Sequence, residues 1–381
     1  MSLNFQFISK LSDVPEQQWQ ALVCTDYPFI QYSFLNLLET TGAVGEGTGW
    51  QPHHLVAYEG EQLVAAVPLY IKYDWTGEYV FDWSWDDAYR RYGMRYYPKL
   101  TASIPFTPVT GPRILCSADK LTTYLPQITN AIMKQCEVAG FSSVHLLFSE
   151  QAISEQLTAI NWKQRRNVQF QWYNQNFQHF DEFLATFSSR KRKNVKKERK
   201  KFIHSDFYIK KLHSAELTEE HMQFFYHCYR DTYLKRSGHE GYLPAAFFAQ
   251  LLTHCRDQLL LVLACKQDSP VAGALYFFDS NALYGRYWGG LADIDGLHFE
   301  CCYYQGIEFC IERGLTVFNP GTQGEHKIQR GFEPTYCYSN HWLKEPAFHQ
   351  AITHFLEEED QRISLYKAQA KNLLPFKKDS E

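Results

Sequence analysis

The sequence predicts a mixed α/β (α+β) protein in which one fold is used twice, each copy a mixed sheet flanked by helices. Three observations lead there. The segments "LVAYEGEQLVAAVPLY" (55–70) and "LACKQDSPVAGALYF" (263–277) align so that Ala57 meets Ala264, Val64 meets Val271 and Ala65 meets Ala272. Self-similarity at a fixed offset is what a duplicated unit leaves in a chain. In both halves this hairpin is followed by a strand, a helix and a strand running into a Gly/Pro loop, "SIPFTPVTGPR" in the first and "VFNPGTQGEHK" in the second. The length, 381 residues, suits two domains or one large one. The expected division is a first lobe at 1–175, a second lobe carrying the site at 176–345, and an amphipathic helix and tail at 346–381.

Each element has a local reason. "SDVPEQQWQALV" (12–23) places Ser12 or Asp13 as N-cap ahead of Pro15 and Glu16 in a first helical turn. "QYSFLNLLETTG" (31–42) is a second helix ended by Gly42, and the Gly-rich residues 43–52 form a loop. Two apolar strands flank the turn Glu59-Gly60-Glu61. Tyr79–Asp82 is expected as a short strand, "WSWDDAYRRYGMRYYP" as a helix, and 99–115 as a strand entering a Pro-rich loop. Residues 119–139 form a helix, "SSVHLLF" a strand, "QAISEQLTAI" a helix and 162–174 a strand. In the second half a helical region (180–203) precedes the strand "DFYIKKL", helices over 218–236 and 244–254, and a three-stranded meander over 259–290. A helix over 296–314 closes on Gly314 at its C-terminus, followed by the strand "LTVFNPG" and the helix 346–368.

Composition removes some classes. Charged residues make up 21% and the net charge is −4, so overall charge does not predict a polyanion partner. The ten cysteines include no C-x-x-C pair, and no His/Cys set has zinc spacing, so neither a disulfide framework nor a metal is expected. The N-terminal segment lacks a signal-peptide pattern, and no run reaches the ~18 apolar residues of a membrane span. A cytoplasmic protein is expected.

The chemistry concentrates in "FNPGTQGEHKIQRGFEP" (318–334), which sets Glu325, His326, Lys327 and Arg330 at one strand end. Acyl transfer to an amine needs a base, and Glu325 and His326 are candidates, with Glu300 on the preceding helix. Lys327 and Arg330 suit a phosphate or carboxylate, and Gly324 permits unusual backbone angles and close ligand approach. The alternative is a structural loop held by Glu325 paired with Lys327 or Arg330. In "LYGRYWGG", strict alternation would put Tyr284, Arg286 and Trp288 on one face. His298 and Tyr303 on the following helix complete the candidate binding set. The helix entry "GGLADIDGLHFE" carries Asp293 and Asp295, which would repel a pyrophosphate.

Together "YGRYWGG", "LHFECCYYQGIE", "PGTQGEHKIQRGFEP" and "SNHWL" resemble the FemAB-like family of peptidoglycan biosynthesis or recognition, in the GNAT superfamily. The resemblance covers nearly the whole chain. It implies two tandem GNAT-like lobes and transfer of an acyl or aminoacyl group to an amine, such as that of a cell-wall precursor. Aminoacyl-tRNA or acyl-CoA would be the donor. The chain lacks the long helical hairpin of the tRNA-using relatives and the usual CoA fingerprint. Two alternatives are an acyl-CoA-dependent N-acetyltransferase acting on a small amine and a non-catalytic ligand-recognition protein of the same fold. The segment "RKRKNVKKERKK" (190–201) carries nine Lys/Arg and one Glu in twelve residues. Arg190, Lys191, Arg192, Lys193, Lys196, Lys197, Arg199 and Lys200 are the candidate contacts to tRNA or to an anionic membrane surface, without sequence-specific readout. Phe187, Val195 and Phe202 form the stripe that packs.

Overall fold

In the computed structural model the described residues are 3–203, 206–291, 294–322 and 324–377, with the side chains of 201–203 outside the description. Asp293 and the side chain of Phe202 therefore lie outside it. The chain forms two compact units. One comprises Met1–Asn167 and Tyr336–Leu365, the other Val168–Thr335 and Tyr366–Glu381. The expected limits near 175 and 346 are replaced here by crossings at 167/168, 335/336 and 365/366.

The first unit holds β1 (Asn4–Ile8), β2 (Trp50–Pro52), β3 (His54–Glu59), β4 (Gln62–Val67), β5 (Leu69–Lys72), β6 (Lys99–Ala102), β7 (Leu115–Cys116), β8 (Ser143–Ser149) and the start of β9 (Lys163–Tyr173). An antiparallel sheet runs β1-β3-β4-β7. The chain then leaves it at Pro68, and β5 pairs antiparallel with β2 and β6. β6 pairs parallel with β8, which pairs antiparallel with residues 338–343 of the chain's last strand. That last strand and β1 were missed by the sequence reading, and β2 forms inside the expected loop. Tyr79–Asp82 is not a strand: Tyr79 takes a positive φ of 59°, which a strand does not allow. The first helix spans Glu16–Leu22 with Pro15, not Ser12 or Asp13, at its N-cap.

The second unit adds β10 (Phe207–His213), β11 (Leu259–Lys266), β12 (Ser269–Phe278), β13 (Ala282–Gly290), β14 (Val317–Asn319) and the start of β15 (Glu333–Leu343). β10 to β13 are antiparallel neighbours; β13 and β14 are parallel, and β14 pairs with the end of β9. β11 is buried on both faces over seven successive residues, as its unbroken apolar run requires. Its core joins Trp172, Phe183, Phe187 and Val195 to Tyr276, Leu283, Ile307 and Phe318. Gly289 has a packing duty: a Cβ there would lie 2.2 Å from the Cys228 backbone, so glycine lets β13 press directly on the helix Glu219–Ser237.

The duplicated hairpin is visible at atomic register. Ala57 pairs with Ala65 and Ala264 with Ala272, and in both hairpins a bulge follows the first alanine. The loops are not matched as expected. β5 and β6 pair antiparallel, so they do not correspond to β13 and β14. The parallel strand–helix–strand of the first unit is β6, the helix Leu121–Ala139 and β8. Its counterpart is β13, the helical run 297–313 and β14. The segment after β14 therefore corresponds to the helix Gln151–Ala159, which comes directly after β8, and not to 103–113.

Candidate acyl-transfer site in the second unit

β13 and β14 pair over only three residues, 282–284 with 317–319. Beyond them Pro320 turns the chain away, and a wedge opens between Gly285–Trp288 on one side and Pro320–Thr322 on the other. A cavity of about 430 Å³ fills it, also lined by Arg236, His298, Cys302, Tyr303, His326 and Lys327.

β13 does not alternate strictly. Leu275 pairs with Tyr287 but Tyr276 with Gly285, so Arg286 is an extra residue at a bulge. The bulge reverses the faces on either side of it. Tyr284 and Tyr287 share one face and Trp288 lies on the other, against the expectation of a common Tyr284/Arg286/Trp288 face. Arg286 and Trp288 line the cavity. Tyr284 does not; its hydroxyl donates to Asp279 at 2.7 Å.

The helix behind the wedge contains a π turn, Glu300–Tyr304, between Leu297–Phe299 and Gln305–Arg313. The Gln305 N–H reaches the Glu300 carbonyl, five residues back. Side chains five apart consequently meet. His298 Nε2 lies 3.3 Å from the Tyr303 hydroxyl, and Gln305 Nε2 donates to Glu300 Oε1 at 2.7 Å. In a regular helix five residues turn the side chain well off the starting face. Glu300 is buried, clasped by Arg199 Nε and Nη2 at 3.1 and 2.8 Å, and is absent from the cavity wall. Its role as a base is not supported.

The loop Glu325–Arg330 is a short 3-10 turn. Gly324, at φ 110°, gives His326 its room: a Cβ on Gly324 would sit 2.2 Å from the imidazole. His326 Nε2 lies 2.8 Å from the Tyr303 hydroxyl, which thus bridges His298 and His326. Burial, reinforced by Arg330 and Lys327, lowers the His326 pKa, so its imidazole is neutral at neutral pH. Burial and neighbouring cations push His298 down to about 3. Burial raises Tyr303, which keeps its proton. Glu325 points elsewhere and accepts from the Tyr366 hydroxyl at 2.9 Å.

Lys327, expected to suit a phosphate or carboxylate, lies buried at the cavity wall. It is 1% exposed, donates to the Gly321 carbonyl at 2.6 Å, and burial pulls its pKa down to about 7. Arg330 is likewise occupied. Its Nη2 lies 3.0 and 2.9 Å from the two Glu198 oxygens, its Nη1 donates to the His326 carbonyl at 2.8 Å, and its guanidinium lies 3.5 Å from the Phe299 ring centroid.

The basic segment forms the helix Ser189–Ile203. Arg190, Lys193, Lys196, Lys197 and Lys200 are exposed, whereas Lys191, Arg192 and Arg199 are half-buried. Lys196 reaches Asp181 at 2.9 Å, and Lys191 donates to Gln329. Arg199 is a strut between Glu300 and Glu308, so it is not a polyanion contact. Glu198, the lone acid of the run, anchors both Arg330 and the Tyr304 hydroxyl. The sequence reading missed it, although one carboxylate among nine bases was the signal. Arg236 and Cys302, both on the cavity wall, were also missed; a Cys inside an apolar run and an Arg at a helix end carry no such mark. Among the described residues no His/Cys/Asp/Glu group could hold a metal ion, and no helix is long and apolar enough to cross a membrane.

Among curated proteins none matches this sequence. Solved structures similar in fold include FemX, at 10% identity and TM-score 0.54, covering 89% of this chain and 98% of that one. L-PGS from Bacillus licheniformis aligns at 12% identity and TM-score 0.51, covering 90% and 97%. The fold is thus shared with FemX and L-PGS over nearly the whole chain. The FemAB-like family, described as peptidoglycan biosynthesis/recognition, matches residues 10–378, and the chain belongs to that family.

Proposed function

We propose that this protein transfers an acyl or aminoacyl group to an amine, as of a cell-wall precursor, with the reacting carbonyl in the wedge between β13 and β14. The observation that carries the proposal is the His326–Tyr303 pair, 2.8 Å apart on the wall of this cavity. The neutral amine attacks the carbonyl carbon; the C–N bond forms and the ester or thioester bond breaks. His326 takes the amine proton. Tyr303, kept protonated by burial, donates to the departing oxygen or sulfur and is reprotonated from His326. Arg286, on the cavity wall, brings positive charge to the side where the carbonyl oxygen becomes negative.

The exposed lysines and arginine of the helix Ser189–Ile203 favour a polyanionic donor, aminoacyl-tRNA, over acyl-CoA. Turnover of labelled aminoacyl-tRNA and of acetyl-CoA, each with amine acceptors, tests both. The His326→Ala variant is expected to lose about 100-fold in kcat with an unchanged unfolding curve. Full activity in that variant, or no acceptor-dependent consumption of either donor, would end this reading.

A further inference from the structure

The first unit spends buried charge on holding one surface loop. Between β5 and the helix Trp83–Arg91, residues 73–82 contain no regular element, yet they are fastened at every few positions. Lys72 Nζ and Trp50 Nε1 both donate to the Thr76 carbonyl, at 2.9 and 2.8 Å. Lys99, fully buried, pairs with Glu78 at 2.9 Å and Asp82 at 2.5 Å, and Tyr96 donates to the same Asp82 oxygen. Asp82 stands at the helix N-cap but makes no capping bond; its Oδ2 serves Lys99 and Tyr96 instead. Arg165 Nη1 donates to the Phe81 carbonyl at 2.8 Å. Tyr79 is held at φ 59°, a left-handed angle costly to a side chain with a Cβ. Buried ion pairs seldom raise net stability, and strained backbone persists only where its surroundings over-determine it. Such a base fixes a shape.

The base and the helix start present four exposed aromatic rings, Tyr73 (55%), Trp75 (49%), Phe81 (44%) and Trp83 (51%), of which the last three pack together. Trp83 meets Trp75 edge to face at 5.7 Å and Phe81 at 4.9 Å, so the three rings form one cluster. They touch one another too closely to admit a cation between them. Neither indole N–H has a hydrogen-bond partner among the described residues. Three carboxylates neighbour these residues in the chain: Asp74, next to Trp75 and 3.6 Å from Lys72, and Asp86 and Asp87, one turn along from Trp83 and both bound to Arg90.

This mixture selects a ligand class. Free N–H donors and carboxylate acceptors are wasted on an aliphatic chain. Flat apolar faces next to donors and acceptors match a neutral sugar, which offers a C–H face and a ring of hydroxyls. We infer that Trp75, Phe81 and Trp83 form a saccharide-binding platform, with Asp74 and Asp86 accepting hydroxyl hydrogen bonds. The inference concerns the first unit and is independent of the transferase reading.

The test uses the full chain and two neutral probes, triacetylchitotriose and maltotriose. Their binding is followed by the indole N–H resonances of Trp75 and Trp83. At least one probe is expected to shift these resonances saturably at millimolar concentration. Trp75→Ala and Trp83→Ala are each expected to weaken binding about tenfold, whereas His326→Ala leaves it unchanged. Because the rings are exposed, an unchanged melting curve accompanies these variants, and Trp83→Tyr retains most of the affinity. Absence of binding by either saccharide would overturn the inference, as would binding that survives the double Trp variant. Capture of the protein by phosphatidylglycerol vesicles, lost in the same variant, would assign the patch to a membrane instead.

Discussion

The two parallel strand–helix–strand units make the same opening and treat it in opposite ways. β6 pairs with β8 over 100–102 and 144–146; β13 pairs with β14 over 282–284 and 317–319. In the first unit the chain after β6 remains in the opening. Residues 103–109 are all buried, Gly111 N–H donates to the Phe148 carbonyl, and Arg113 donates to the carbonyls of Leu147, Pro112 and Val109. In the second unit β13 instead continues through its bulge, and the opening remains as the 430 Å³ cavity. One scaffold thus gives a plug in one copy and a lined cavity in the other. An arginine has a different place in each: Arg113 is buried and satisfies carbonyls, whereas Arg286 is half-buried on the cavity wall.

Breaking the plug should have the largest effect. Arg113→Ala strands buried carbonyls and leaves a void, and is expected to cost about 3 kcal/mol or more in urea unfolding. An effect under about 1 kcal/mol would show that the plug does not depend on its guanidinium. The equivalent cut behind the open wedge is Arg199→Ala, which leaves buried Glu300 without its cation and with only the Gln305 amide as partner. A loss of about 3 kcal/mol is expected there. By contrast, Lys193→Glu with Lys196→Glu and Lys197→Glu should leave the melting curve in place while reducing binding of bulk tRNA at low salt. Equal destabilisation by both sets would remove the distinction between the strut and the exposed face.

A smaller effect separates the two buried lysines by pH. Burial draws Lys327 down to about 7 and Lys72 to about 8, the latter against the pull of Glu78 and Asp74. The unfolded chain keeps either lysine protonated to about 10.4. Between the folded and unfolded values the unfolded state binds the extra proton, so stability rises with pH; below the folded value the full penalty applies. Lys327→Met should therefore gain most over wild type below about pH 7. Its advantage should shrink by about 1.4 kcal/mol per pH unit from there towards pH 9. A pH-independent difference between the two proteins would refute the buried, neutral-prone Lys327.

The duplication was legible because a hairpin leaves a local mark: paired alanines and a two-residue turn fix register without reference to anything distant. The loop 318–334 was legible as the place, since glycines and titratable groups crowd there. The direction of each side chain was not. Glu325 and His326 are neighbours in sequence, but one faces Tyr366 and the other Tyr303. The bulge at Arg286 and the π turn each rest on one additional residue, which apolar periodicity does not register. Lys327 was assigned to an anion on its charge alone. Its burial comes from packing that its charge does not register.

The π turn has a consequence for how such a site comes into being. One surplus residue in a helix, absorbed as a wider turn, rotates everything before it against everything after it. His298 and Tyr303 come together by that rotation, and Glu300 and Gln305 with them. A single-codon insertion can therefore bring such pairs together from side chains already present, and a single-codon deletion can separate them while leaving every one of those residues in the chain.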